Sequence, residues 1–180
     1  MVKKVLIGAL IGWVVLAVWT FVVNGMLGFR VRVDMKQIAN EGQVYAMLKD
    51  NVVEPGRYVF NPELTETGFV QNEPVFSVLY SGFGHEAAGR ESLVNLVNAL
   101  FMSLIAAWML SMASDHIQQR YANRVLFYAV IGLFLAVAGE IPKYGIGGYP
   151  ANSTFLLAVH AVVQWTVVGL FVAWRMKPDS

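Results

Sequence analysis

The residues of this sequence that could do chemistry are a few polar side chains inside long apolar stretches. His160 lies within the apolar run 154–174, and Gln164 follows about one helical turn later on the same face. Glu140 lies near the end of the run 125–141, which a short glycine-rich connection joins to the run with His160. Ionisable groups inside a membrane segment cost free energy and are therefore functional candidates by default. An imidazole and a carboxylate here could relay protons, or bind a quinone, a lipid head group or an ion.

Three asparagines extend this pair into a predicted intramembrane polar cluster. Like His160, they lie in the half of each predicted span that is nearer the outer face of the membrane. The full set is Asn24, Asn95, Asn98, Glu140, His160 and Gln164. The alternative interpretation is structural, because interhelical hydrogen bonds fix helix packing at about 0.6 kcal/mol each. We favour it, since Asn24, Asn95 and Glu140 are shallow enough to meet interfacial water, which leaves His160 as the residue that most needs explaining.

No catalytic residue, metal or cofactor is predicted from the rest of the sequence. The absence of cysteine excludes disulfides and thiolate chemistry. His85, His116 and His160 fall at different depths, so no pair could hold a haem, although a single axial His160 stays open. Nucleophile-elbow, zinc-protease and phosphate-loop motifs are missing from the sequence. A net charge of +1 without a basic stripe argues against nucleic acid as a partner.

Four apolar stretches must position the polar residues. The chain of 180 residues is 57% hydrophobic and 14% charged, against about 25% charged in soluble domains. Val5 to Leu27 would reach about 34 Å as a helix, enough to cross a hydrocarbon core of about 30 Å, and we interpret it as an uncleaved signal anchor. The sequence therefore predicts a membrane all-α fold, a bundle of four transmembrane helices in the lipid bilayer.

The predicted divisions of the chain follow from these runs. They are the N-terminal tail and first span 1–27, an extracytoplasmic segment 28–91, the second span 92–114, a cytoplasmic loop 115–124, the third span 125–141, an outer hairpin 142–153, and the fourth span with the cytoplasmic tail 154–180. Asn152 or Ser153 is expected to cap the fourth span. Basic residues cluster on the side of both termini, as the positive-inside rule requires for a cytoplasmic location in a bacterial inner membrane.

Small side chains predict where the first two spans touch. Ala99, Ser103, Ala107 and Ser111 repeat every fourth residue along the second span and form one stripe. Gly8 and Gly12 form a G-x-x-x-G in the first span, at the depth where an antiparallel neighbour would place Ala107 and Ser111. Small residues let membrane helices approach closely, so these two faces are expected to pack together.

The segment after the first span is predicted to be an α+β insertion of roughly 60 residues, too small to fold alone. From Arg30 to Glu91 it has nine acidic and six basic side chains. A short helix should follow Asn40, and two strands should lie at 57–60 and 75–81. Four apolar side chains are expected to point inward, against the helix ends or a partner: Phe60, Phe69, Phe76 and Leu79.

One short sequence pattern suggests relatives. Asn40-Glu41-x-x-Val44, followed by Asn-Val-Val-Glu-Pro-Gly-Arg-Tyr from Asn51 to Tyr58, resembles a loose family of small bacterial membrane proteins of unknown function. The resemblance implies four spans with an outer segment and brings no catalytic residue. The layout is also similar to that of claudin-like four-span proteins, whose large first outer loop makes contacts.

These observations predict a non-catalytic accessory or assembly subunit of a larger membrane complex, such as a respiratory or photosynthetic one. Its partners would be other integral membrane subunits, because the apolar faces exceed what a four-helix core can bury. One alternative is a small membrane enzyme or carrier that works through His160 and Glu140. Another is an outer-surface binding module that uses Phe60 or Tyr80.

Overall fold

A computed structural model describes residues 2–60, 64–65, 68–69, 74, 76–144 and 148–177. The α-helices in this part of the chain are α1 Val2–Trp19, α2 Phe29–Asp34, α3 Glu41–Asn51, α4 Gly84–Ser111, α5 Asp115–Gln119, α6 Tyr121–Leu135 and α7 Ala151–Arg175. Two π-helical segments, Thr20–Met26 and Ala136–Glu140, continue α1 and α6, and a 3₁₀ turn, Ile141–Lys143, follows the second. The strands are β1 Gly56–Phe60, β2 Leu64–Thr65, β3 Gly68–Phe69 and β4 Phe76–Tyr80.

Four stretches of helix are long and apolar enough to cross a membrane. They are span 1 Val2–Met26, span 2 Gly89–Ser111, span 3 Tyr121–Lys143 and span 4 Ala151–Arg175. The predicted helical fold with four candidate membrane-spanning helices is therefore confirmed. Span 3 begins at Tyr121, inside the predicted loop, and α4 begins at Gly84, well before the predicted start of the second span.

The spans pack in the order 2, 1, 4, 3. Span 1 lies between spans 2 and 4, and span 3 packs along span 4, while spans 2 and 3 contact each other little. The start of span 1 and the residues that follow span 4 lie together, because Lys4 Nζ donates to the Lys177 carbonyl at 3.0 Å. We call this end of the bundle the terminal side and the end bearing the insertion the segment side. Span 2 consequently has one close neighbour and keeps most of its surface bare.

Spans 3 and 4 meet through glycines. A Cβ added at Gly132 would lie 2.9 Å from Val162 Cα, and one added at Gly169 would lie 2.7 Å from Tyr128 Cβ. Neither neighbour can move as a flexible side chain could. The absence of side chains at these positions therefore lets the two helices approach almost backbone to backbone. On another face of span 4, Val168 and Val172 are completely buried, and they lie against Gly12 and Gly8 of span 1.

The insertion contains α2, α3 and a small antiparallel sheet between the helices. Strands β1 and β4 pair from Gly56 with Tyr80 to Phe60 with Phe76. The expectation that the apolar side chains of this region pack against the helix ends is wrong for Phe60, Phe76 and Leu79, and the last two are 61% and 71% exposed. Contact with a partner, the other half of that expectation, stays a prediction. A two-stranded sheet has too little surface to bury both of its faces. The Phe69 side chain lies outside the described residues.

Candidate functional site

The segment-side end of span 1 departs from α-helical geometry next to the predicted site. The π-helical segment Thr20–Met26 follows Trp19, and Gly28 then adopts a φ of 60°, a left-handed conformation that glycine tolerates without steric cost. This break turns α2 toward the end of span 4. The Ser153 hydroxyl donates to the Val33 carbonyl at 2.9 Å and ties α2 there. The prediction that Asn152 or Ser153 caps the fourth span is wrong, because α7 begins at Ala151 and the N-cap position belongs to Pro150.

His160 lies between two aromatic side chains at this break. Trp19 Nε1 donates to His160 Nε2 at 2.9 Å. The Phe29 ring stacks on the imidazole, with centroids 4.8 Å apart and an interplanar angle of 13°. Only 8% of His160 remains exposed. The imidazole thus joins span 4 to both the end of span 1 and the start of α2.

The hydrogen bond determines the protonation state of His160 in this arrangement. An indole N–H can only donate, so His160 Nε2 must present its lone pair. The imidazole is consequently neutral, with its proton on Nδ1. Its Nε2 is already occupied as an acceptor, so it can serve as a base only after Trp19 moves away.

Two charged groups lie within electrostatic range of His160, Arg30 of α2 and Glu140 of span 3. Glu140 is the last residue of the second π-helical segment, which packs against span 4. Its carboxylate forms an ion pair with Lys143 Nζ at 2.8 Å. The Glu140 carboxylate is therefore in direct contact with Lys143, whereas with His160 it interacts only electrostatically.

The six residues of the predicted polar cluster separate into two groups. Gln164 is half-buried one turn below His160, and Asn24 lies in the π-helical segment with its Oδ1 buried and without a hydrogen-bond partner. Asn95 and Asn98 instead lie on exposed surface of span 2. Asn98 Nδ2 donates to Met102 Sδ, a weak acceptor, at 3.5 Å. The structure does not bring these two asparagines to His160.

The small-residue stripe lies against span 1, shifted by about one turn from the predicted match. Gly12 lies opposite Ser103, whose Cβ is 3.2 Å from a Cβ placed on Gly12. Gly8 instead has Met176 and Val172 of span 4 as its nearest neighbours. Within the stripe, Ser103 and Ala107 are buried, whereas Ala99 and Ser111 are half-buried. Ser111 Oγ donates to the Trp108 carbonyl of its own helix at 2.7 Å.

Sequence reasoning missed the residues that surround His160. Trp19 and Phe29 are ordinary apolar residues by composition, and only their depth, matched to that of His160, could have indicated the contact. It also assigned Arg124 to a loop. In the structure this arginine is only 3% exposed. Its Nε donates to the Ala173 carbonyl at 3.0 Å, and its Nη1 donates to the Gln118 carbonyl. Arg124 thereby satisfies a carbonyl in the last turn of span 4.

The interactions seen at His160 are one hydrogen bond from Trp19 and stacking with Phe29. Among the described residues, no three histidine, cysteine, aspartate or glutamate side chains lie close enough together to hold a metal ion. In comparisons with known proteins, no family model, curated protein or solved structure matches the chain. The resemblance to small bacterial membrane proteins therefore stays a prediction.

Proposed function

We propose that this protein is a non-catalytic accessory or assembly subunit of a larger membrane complex. The observation that carries the proposal is Asn98, an exposed amide within one turn of the middle of span 2. In the hydrocarbon core an amide facing lipid has no strong hydrogen-bond partner, whereas a neighbouring helix can supply one. Asn95 lies one turn toward the segment side, also exposed. A partner span packed on this face would satisfy both side chains.

The insertion supports the same proposal from outside the spans. Several of its apolar side chains are exposed although no lipid is expected to cover them: Tyr45, Met47, Val53, Leu79 and Phe83. A groove of about 740 Å³ lies between α3 and β4. Exposed apolar patches on surfaces that face water mark contact sites for other proteins. A partner that covers span 2 would also cover the insertion next to it.

The proposed setting is a bacterial inner membrane, with both termini in the cytoplasm. The support for this orientation is the set of basic residues on the terminal side, where Lys4, Arg120 and Arg175 lie at the ends of spans. Arg30 and Arg32 lie on the opposite side, but they belong to a longer connection that weighs less in topology.

Purification from native membranes in mild detergent tests the proposal. We expect the wild-type chain to migrate with partner subunits and the Asn98→Leu variant to lose them, because leucine cannot hydrogen-bond across the interface. Asn152→Leu is the matched control, since Asn152 is exposed at the end of span 4 and should leave the particle unchanged. A wild-type chain that migrates alone, or equal losses in both variants, would contradict the proposal.

The second candidate function is a small membrane enzyme or carrier centred on His160. It is favoured by one observation: the ends of spans 1 and 3 on the side of His160 are π-helical, and such segments are frequent at functional sites. Liposomes that contain the purified chain would test it. Proton or solute flux that disappears in His160→Gln, with the fold intact, would favour this function over the accessory role.

A further inference from the structure

A long apolar groove follows the lipid-facing side of the seam between spans 1 and 4. Its volume is about 710 Å³. Aliphatic and aromatic side chains of both spans form its walls: Leu10, Val14, Val18, Val22, Val167 and Phe171. From Leu10 to Val23 the groove extends about 20 Å along span 1, more than the roughly 15 Å depth of one leaflet. It therefore has the shape and chemistry to hold an extended hydrocarbon chain.

Positive charge lies at the segment-side end of this groove. Trp19 lines the groove and donates to His160, and Arg30 is within electrostatic range of that imidazole. Arg30 and Arg32 are both exposed, and Asp34 is the one acidic residue between Gly28 and Asn40. The Glu140 carboxylate nearby is already paired with Lys143 and does not cancel this charge. The apolar groove thus ends near two exposed guanidinium groups.

We infer that the groove and Arg30 form a binding site for an anionic phospholipid of the bilayer. The acyl chain lies along the apolar walls, and the phosphate accepts hydrogen bonds from the Arg30 guanidinium, with Arg32 adding to the attraction. The walls cannot distinguish head groups, so the arginines supply the selectivity. A bound anion would also balance the positive charge of Arg30 and Arg32 on the segment side of the bundle.

Native mass spectrometry tests the head group. The purified full chain is stripped of lipid and supplied with equal amounts of phosphatidylglycerol, which is anionic, and phosphatidylcholine, which is zwitterionic. We expect wild type to retain the anionic lipid preferentially and Arg30→Gln to reduce that preference about fivefold. Arg175→Gln, which removes an exposed cation from the terminal end of span 4, should leave the preference unchanged. An unchanged preference in Arg30→Gln, or an equal fall in both variants, overturns the site.

A second pair of variants tests the groove. Val14→Trp places a large ring in the channel and should reduce the retained amount of both lipids at least severalfold. Leu126→Trp makes the same addition at an exposed position of span 3 and should have no effect. Equal retention in the two variants would refute chain binding in the groove. Because this assay uses the isolated chain, its result is independent of whether a partner subunit exists.

Discussion

On the terminal side of the bundle, the backbone of span 4 packs directly against the Cβ atom of a residue in span 3. On the segment side, spans 1 and 4 are instead joined by a hydrogen bond between the ends of two long side chains. A Cβ added at Gly169 would lie 2.7 Å from Tyr128 Cβ, but the contact at the other end is a 2.9 Å hydrogen bond between Trp19 and His160. Buried Arg124 reinforces the first contact by donating to the Ala173 carbonyl. The segment side has instead two π-helical segments and a left-handed glycine.

The difference shows which half of the bundle can change shape. Close packing between backbones tolerates no added atoms and has a single arrangement. Hydrogen bonds and ring stacking at the segment side can be broken and remade at a cost of about 1 kcal/mol each. The insertion, Asn98 on the exposed face of span 2 and one end of the apolar groove all lie on the segment side. We therefore expect substitutions to affect stability on the terminal side and interactions on the segment side.

The largest expected effect comes from adding one methyl group to the close seam. Gly169→Ala should lower the free energy of unfolding by about 1–3 kcal/mol, because Tyr128 Cβ and the Val125 carbonyl cannot yield. Unfolding in a titration with a denaturing detergent, followed by circular dichroism, measures the change. Gly139→Ala is the control, since a Cβ there meets nothing within 4 Å. Equal effects at both glycines would remove the distinction between the two halves.

A smaller effect is expected at the side-chain contact of the segment side. His160→Leu should cost about 1 kcal/mol, because the Trp19 indole N–H loses its acceptor. His160→Gln keeps an acceptor on a side chain of similar reach and should cost less than half as much in the same titration. If glutamine is as damaging as leucine, the hydrogen bond is not what joins the two spans.

The hydrogen bond that holds α2 against span 4 should affect the local exchange of α2 and have little effect on the stability of the whole bundle. Ser153→Ala removes the bond to the Val33 carbonyl and should accelerate hydrogen exchange of residues 29–34, while stability changes by about 0.5 kcal/mol. Thr154→Val at the adjacent position is the control, because Thr154 Oγ1 is buried without a partner and its removal is neutral. Unchanged exchange in Ser153→Ala would show that α2 is held by other contacts.

The smallest effect is expected at Asn24. Its buried Oδ1 has no partner, so Asn24→Leu should leave the free energy of unfolding within about 0.5 kcal/mol of wild type or raise it slightly. A clear loss of stability in the same titration would mean that Asn24 is satisfied by a bound lipid or water in the membrane. That outcome would move Asn24 from the structural to the functional residues of the segment side.

Much of the architecture could be predicted, because an apolar run long enough to cross a bilayer must satisfy its backbone hydrogen bonds internally there, and a helix does so. The approach of span 1 to span 2 was also predicted, although Gly12 meets Ser103 one turn from the expected match. The environment of His160 was not predictable, since it depends on a π-helical segment that follows Trp19 and on a left-handed Gly28 that redirects Phe29. Neither distortion has a signature in residue periodicity.

The order of the spans explains why Asn95 and Asn98, two members of the predicted polar cluster, lie apart from His160. Depth along a helix can be counted from sequence, but the direction in which each face points depends on which helices are neighbours. Asn98 has a depth similar to that of the other cluster members, yet it lies on a bare face because span 2 packs mainly on span 1.

Photo-crosslinking in native membranes tests the proposed partner on that bare face most directly. Phe101 lies one turn from Asn98 and is 58% exposed, and Phe134 of span 3 is 68% exposed, so a benzoylphenylalanine at either position is a conservative change. The account predicts a discrete protein adduct from position 101, lost when Asn98 is also changed to leucine, and lipid adducts alone from position 134. Lipid adducts alone from position 101 would contradict the account.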